Sequence, residues 1–374
     1  MRILQISSAK NFGGGERHLI DLSAHLDERG HEVFAALRAE NYWREKISFL
    51  PDESIVRLPL RNSFDFSSAL KIGKFIKEKN VEIVHAHLAR DYPIAALAAR
   101  AAKVKLVLTR HLLFSLNFSH KIILPKDAVF IAVSEGVRRR LLMQKILPPE
   151  QIRLVYNGVD TRHFSDVEKS ASKKNLLRQL NLRESSPLVG IVGELAAHKG
   201  QTDFVRAAAM VLKRFPETEF VIAGRDASPR KNYENDLRRL IEEFGLQNKI
   251  RLLGWIDDDA TIFAALDIFV SASVVEPFGL VIAEAMASGC AVVASATDGA
   301  TEIIENGKTG KLVSPENPFE LSAAIGEFLT NESSRQTFGE NAKKAAAEKF
   351  SVERMVAETE EIYLKLLTPT ADRL

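Results

Sequence analysis

Short runs of β-branched and aliphatic residues alternate with longer amphipathic stretches along most of the chain. This is the pattern of α/β layers built on parallel sheets. Residues 2–7 read as a first strand, followed by the loop Phe12-Gly13-Gly14-Gly15, a helix over about 16–29 that stops at Gly30, and a strand at 31–37. Further strands are predicted at 83–87, 104–109, 129–133 and 152–156, with helices at 67–79, 93–102 and 135–145. After Asn157-Gly158-Val159-Asp160 the pattern changes. Residues 165–186 are polar and lysine-rich with little strand signal, as in a linker carrying a short helix. A second α/β series then begins with a strand at 188–192, a loop at 193–200, a helix at 202–215 and a strand at 219–223. It continues with elements at 233–244, 250–253, 259–265, 268–271, 291–295 and 310–313, and the chain closes on a helix at 350–367. Two successive doubly wound halves are expected to hold a ligand beyond the carboxyl ends of their strands, in an interdomain cleft.

Composition narrows the function classes. At 374 residues the chain has room for two domains, and 46% hydrophobic with 27% charged residues describes a soluble globular protein. Fifty-one basic residues against 49 acidic leave a net charge of +2, so no global field points to a nucleic-acid partner. The single cysteine, Cys290, lies in an apolar run, which excludes a disulfide framework and predicts a buried, inert thiol. The amino terminus turns polar too early for a signal peptide, and no uncharged apolar run is long enough to span a bilayer. The cytoplasm is the expected location.

The segment Glu276-Pro277-Phe278-Gly279-Leu280 through Glu284 carries the strongest chemistry. Pro277 suits a first helical turn, and the apolar run beyond it ends at Gly289, a helix stop. A helix opening there offers the backbone N–H groups of Phe278, Gly279 and Leu280 to an anion, and Gly279 allows close approach. Glu276 before the helix and Glu284 within it bracket that site, an arrangement fit to hold phosphate between two carboxylates that accept sugar hydroxyls.

These residues stand among others in an ordered series: Gly13-Gly14-Gly15-Glu16, Val84-His85-Ala86-His87, Thr109-Arg110-His111, Ala132-Val133-Ser134-Glu135, Asn157-Gly158-Val159-Asp160, the 193–200 loop, Asp298-Gly299-Ala300-Thr301-Glu302 and Gly307-Lys308-Thr309-Gly310. In this order and spacing the chain resembles the retaining glycosyltransferases of family four, the group 1 type, with the GT-B fold. The resemblance implies an amino-terminal acceptor-binding Rossmann-like domain (residues 1–164, rejoined by the helix 354–374) and a donor-binding one (165–353). It implies that Glu284 holds the donor ribose, that Glu276 lies near the transferred sugar, and that Lys199 faces the diphosphate. His111 matches a histidine that reaches the transferred sugar. Trp255 sits in a loop whose backbone meets the nucleotide base. Gly14 and Gly15 open a helix toward the donor phosphates or acceptor. The family carries Gly-Arg-Leu ahead of the lysine, whereas this chain has Gly193-Glu194-Leu195, so an acid replaces an expected phosphate cation; Arg225 is a candidate substitute. The last helix is expected to cross back onto the first domain, tying the two and permitting hinge closure.

The implied reaction moves a hexose-type sugar from a UDP- or GDP-linked donor to a glycan or glycolipid acceptor, in cell-envelope polysaccharide or lipopolysaccharide synthesis. No carboxylate nucleophile is evident, so a same-face displacement is expected, with the departing phosphate helping to deprotonate the acceptor. No metal or other cofactor is expected. His85 and His87 share a strand face, but no further ligands converge on them in sequence, and packing or acceptor contact is preferred. Asp257-Asp258-Asp259 directly precedes a helix and reads as its cap. Leu112, Leu113, Phe114, Phe118 and Ile122-Ile123-Leu124, interleaved with Arg110, His120, Lys121 and Lys126, suit peripheral docking at a membrane surface, with an ordinary helix packed on the sheet as the plainer explanation. Two rival functions remain: a non-catalytic nucleotide-sugar-binding protein, or another enzyme of this fold such as a nucleotide-sugar epimerase.

Overall fold

The computed structural model describes residues 1–368 except 229 and 258, with backbone alone at 118 and 119. Two compact units are present, one made of Met1–Gly158 with the helix Val352–Leu367, the other of Val159–Ser351.

The first unit contains β1 (Arg2–Ser7), β2 (Glu32–Arg38), β3 (Ile55–Leu58), β4 (Ile83–Ala86), β5 (Lys105–Arg110), β6 (Val129–Ala132) and β7 (Ile152–Leu154). Its sheet runs β3-β2-β1-β4-β5-β6-β7, parallel at every pairing. The second unit contains β8 (Leu188–Val192), β9 (Glu219–Ala223), β10 (Ile250–Gly254), β11 (Ile268–Ser271), β12 (Ala291–Ser295) and β13 (Lys311–Val313). These run β10-β9-β8-β11-β12-β13, again parallel throughout. Both sheets therefore reverse strand order after their first strand, between β1 and β4 and between β8 and β11, as doubly wound folds do. The inner strands are almost continuously apolar because helices cover both faces.

Several buried polar residues lie at the carboxyl end of each sheet, although in the second Ser186, Thr218 and Glu219 are buried at the amino end. Ser7, Ser8, His87, Thr109, Arg110 and Ser134 lie at or just past the carboxyl ends of β1, β4, β5 and β6, and Ser271, Ser273, Ser295 and Thr297 do so for β11 and β12.

Most predicted elements form within two residues of their expected bounds. The edge strand β3 was not anticipated, because four residues are too few to show a period. The 165–186 stretch is more ordered than a linker: Lys169–Gln179 is a helix packed on Asp259–Ala265, with Lys173 Nζ 2.6 Å from Asp267. Helices Pro318–Thr330 and Glu332–Lys349 have no counterpart among the predicted elements. The second packs on Leu280–Ala287 through small residues, and a side chain at Gly339 would strike the Gly289 carbonyl at 2.3 Å. Close approach through glycine and alanine leaves no large-apolar period to find. Val352–Leu367 packs within the first unit, where Met355, Val356 and Tyr363 join Leu19, Leu22 and Leu26 in its core.

Candidate active site

In the second unit the strand reversal assembles the predicted pair. Lys199 closes a short turn, Ala197–Lys199, in the loop after β8, and Glu276 follows β11, the neighbour of β8 across the reversal. Lys199 Nζ donates to Glu276 Oε2 at 2.6 Å, with 24% and 11% of the two side chains exposed. Gly200 makes the approach possible. Its φ is +71°, and a Cβ there would stand 2.0 Å from the Ala272 carbonyl oxygen, just past β11. The Val274 N–H donates to the His198 carbonyl at 2.9 Å, and the Gln201 side chain donates to the Glu194 carbonyl at 2.8 Å. The first bond ties the loop to the segment past β11, and the second closes the loop on itself. Gly200→Ala is expected to destabilise the second unit by about 3 kcal/mol or more, from left-handed strain plus backbone overlap. A urea midpoint unchanged from the wild type would contradict this.

The helix after Glu276 begins at Leu280, later than the expected opening near Pro277, and ends at Ala287. Gly279 is its cap at φ +106°, and its carbonyl takes the N–H of Ile282 and Ala283. A proline-initiated turn would have buried this bend; glycine instead carries it, so the exposed amide end shifts to Gly279, Leu280 and Val281. Phe278 is a core residue, its ring edge-on to Phe350. The Gly299 N–H donates to the Glu276 carbonyl at 2.9 Å, bracing the segment from the other side. Glu284 is 5% exposed within an otherwise apolar, buried helix. Neither acid is the solvated surface carboxylate that a plain helix and loop would supply.

Arg225 and Trp255 follow the adjacent strands β9 and β10. The guanidinium lies 4.8 Å over the indole, whose N–H donates to Asp257 at 2.8 Å. Asp257 is thus engaged by Trp255, and Asp258 lies outside the described residues. The Leu195 N–H donates to the Arg225 carbonyl at 3.0 Å, so Arg225 and the exposed Glu194 share one rim of the sheet.

The other predicted residues sit in the first unit. The helix Gly14–Glu28 has Gly13 as its cap residue and carries the buried Glu16 carboxyl in its first turn, where burial raises its pKa. Gly15 lies against His111, with a Cβ position 3.6 Å from the ring. His111 follows β5, and both its ring nitrogens are buried without a hydrogen-bond partner among the described residues. Sequence reasoning kept the other histidines apart from it, but the strand reversal draws them together. His18, one turn into the Gly14 helix, and His87, just past β4, place their rings with centroids 4.9 and 5.9 Å from His111. The available signal was the position of each at the carboxyl end of β1, β4 or β5, adjacent in the sheet. His85 is different: Tyr363 and Thr109 occupy its two nitrogens at 2.5 and 2.6 Å, so it serves packing. Burial holds all four imidazoles below their usual pKa, with His18 at about 4. Cys290 is buried with its thiol pushed up to about 11 by desolvation, and it donates to the Phe263 carbonyl.

Two parallel doubly wound units, each gathering polar groups at its strand reversal, define the GT-B class of fold. The Glycosyltransferase Family 4 profile matches residues 12–163, and that of Glycosyl transferases group 1 matches 172–345. The chain belongs to the group 1 glycosyltransferases of the family 4 type. An uncharacterized glycosyltransferase of Methanocaldococcus jannaschii is 30% identical over 62% of this chain; that match spans 59% of the relative's own length. The N-acetyl-alpha-D-glucosaminyl L-malate synthase of Bacillus anthracis is 24% identical over 93% of this chain and 92% of its own. Anabaena HepE, solved in complex with UDP-glucose, is 25% identical with a TM-score of 0.84, covering 97% of this chain and all of that one.

Proposed function

We propose that the protein moves a hexose-type sugar from a UDP-linked donor, or less readily a GDP-linked one, to a glycan or lipid-linked acceptor. The reaction proceeds with retention and needs no metal, on the cytoplasmic side of cell-envelope polysaccharide or lipopolysaccharide assembly. The Lys199–Glu276 pair, set beside the amide end of the helix that carries Glu284, is the observation on which this rests. HepE, which binds UDP-glucose, supports the uridine choice.

In this reading the acceptor oxygen bonds to the anomeric carbon on the face from which the diphosphate leaves. The anomeric carbon–phosphate oxygen bond breaks, and the acceptor proton passes to the departing phosphate. Lys199 neutralises charge growing on that phosphate, Glu284 accepts from the ribose hydroxyls, and His111 orients the sugar. The decisive experiment incubates the protein with UDP-glucose, UDP-N-acetylglucosamine and GDP-mannose across glycan and lipid-linked acceptors, reading nucleotide release and product configuration by NMR. Acceptor-dependent release with retained configuration is expected. Inversion, or donor binding without turnover on any acceptor, defeats the reading. Trp255 supplies an internal donor gauge, because it is 48% exposed while the other tryptophan, Trp43, is buried. UDP should change the emission of the wild type and leave Trp255→Phe silent.

The first unit also presents Leu112, Phe114, Ile122 and Met143 at 46–76% exposure, near the exposed Lys121, Lys126, Arg140 and Lys145. Of the basic residues read as part of that face, Arg110 and His120 turn inward, to the Phe114 carbonyl and to the Ala89 and Asn117 carbonyls. Both sit over the sheet end, where backbone carbonyls are the available partners. No helix among the described residues is long and apolar enough to cross a membrane. The remaining apolar tips and cations suit peripheral docking on anionic lipid. Flotation with phosphatidylglycerol vesicles should carry the protein at low salt, and Phe114→Asp with Ile122→Asp should release it; absence of binding at low salt removes the membrane from the scheme.

A further inference from the structure

His18, His87 and His111 each offer a ring nitrogen, and these three nitrogens lie within 4.8 Å of one another. The rings come from the Gly14–Glu28 helix, the end of β4 and the end of β5, so the fold assembles them. Their tautomers are set by outer partners. His18 Nδ1 bonds to Asn157 Oδ1 at 2.9 Å, and His87 Nε2 bonds to Gln5 Oε1 at 2.8 Å. Amide oxygens only accept, so each imidazole spends its N–H there. Bare lone pairs remain on His18 Nε2 and His87 Nδ1. Both atoms are buried and without a partner among the described residues, as are both nitrogens of His111. Ring nitrogens this close together and without a partner among the described residues are costly to bury unless something electron-poor is shared between them.

We propose that His18, His87 and His111 form a binding site for a borderline transition-metal dication of the zinc class. The chemistry of the donors decides the class: three nitrogens and no oxygen ligand disfavour magnesium and calcium and suit zinc, cobalt or nickel. Metal-binding histidines characteristically donate their second N–H to an oxygen acceptor, as His18 and His87 do here. Desolvation already keeps these imidazoles neutral, so no proton has to be displaced at neutral pH. Ligand nitrogens about 2.0–2.1 Å from a tetrahedral zinc stand roughly 3.4 Å apart, so closure takes ring movements on the order of 1 Å. The Arg110 charge, which acts on His111, and the amide end of the Gly14 helix oppose a cation and weaken its binding. Three protein ligands leave a fourth position open.

The test uses the full chain without a histidine tag, stripped with chelator and titrated with Co(II), then with Zn(II) in competition. One equivalent of Co(II) is expected to bind with visible absorption bands, and Zn(II) should displace it. His18→Asn and His87→Asn should each weaken binding about 100-fold, and Asn157→Ala, which touches no metal, about tenfold. His198→Ala, in the other unit, should change nothing. The readout belongs to the metal, so it succeeds or fails apart from sugar transfer. Variants are compared by circular dichroism, and Asn157→Ala preserves the test should a histidine variant misfold. Failure of the wild type to bind Co(II) at submillimolar metal, or full binding after loss of both His18 and His87, overturns the site.

Discussion

Lys199→Ala is expected to lower sugar-transfer turnover about a thousandfold, the scale found when one fixed group facing developing charge is removed. The structure adds a second consequence. Glu276 is 11% exposed at its side chain and 2.6 Å from the ammonium, so deleting the lysine leaves a buried carboxylate facing an incoming diphosphate. Donor binding should therefore weaken by more than one lost cation explains. Glu276→Gln on its own removes repulsion and keeps a hydroxyl acceptor near the sugar; its donor affinity should hold while turnover falls. Combining the two should recover donor affinity relative to Lys199→Ala without recovering turnover. A coupling on the order of 1–3 kcal/mol is expected from contact residues of this kind. Measured by donor titration and single-turnover rates, strictly additive effects would dissolve the pair as a functional unit, and a Lys199→Ala rate within threefold of the wild type would remove it from the chemistry.

The same pair shows which parts of the site the sequence carried. Glu276, Glu284 and Lys199 could be named because their neighbours are glycines, prolines and a helix start, local features with local signals. That Lys199 and Glu276 touch follows from the adjacency of β8 and β11, which is a property of strand order. The histidine group shows the limit more clearly. His85 and His87 stand two residues apart and invite joint reading, yet one is bonded into the packing beneath Tyr363 and the other faces His18 and His111. The two share a face, with ring centroids 4.3 Å apart, and it is the bonds from Tyr363 and Thr109 that take His85 out of the group, while the parallel sheet joins residues from positions 18, 87 and 111. The fold was legible because strands buried on both faces write themselves as apolar runs. Glu332–Lys349 was not, because it packs through Gly339, Ala342 and Ala346 and lacks the large residues that mark a buried face. Its role is nonetheless direct: it backs the short helix that carries Glu284.

Gathering buried polar groups at a strand reversal has a thermodynamic signature. Chelator-treated protein should lose stability in its first unit as the pH falls from about 6.5 toward about 4. Burial depresses the folded pKa of His18, partly opposed by its bond to Asn157. The unfolded chain thus takes up a proton first, and stability present above 6.5 is lost as the pH falls through that window, by about 3 kcal/mol for a shift of this size. Asp91 works the other way. Desolvation raises its carboxyl from 3.8 to about 6, so it adds stability as the pH falls through that range, by a similar amount of about 3 kcal/mol. Glu16, also raised by burial, acts in the same sense. His18 and Asp91 nearly cancel, and the net acid sensitivity comes from His85, His87 and His111, all held well below the usual histidine value by burial and by one another. Asp91→Asn separates the two contributions. It relieves a buried charge at pH 7.5, where the variant should be the more stable protein, and it removes the counterweight, so its stability should fall more steeply between pH 6 and 4. Hydrogen exchange resolved by peptide, followed across that range, reads each unit separately. A first unit equally stable at pH 7 and pH 5 would show that these histidines titrate as if exposed, and a shallower slope in Asp91→Asn would show that the buried carboxyl is not the counterweight.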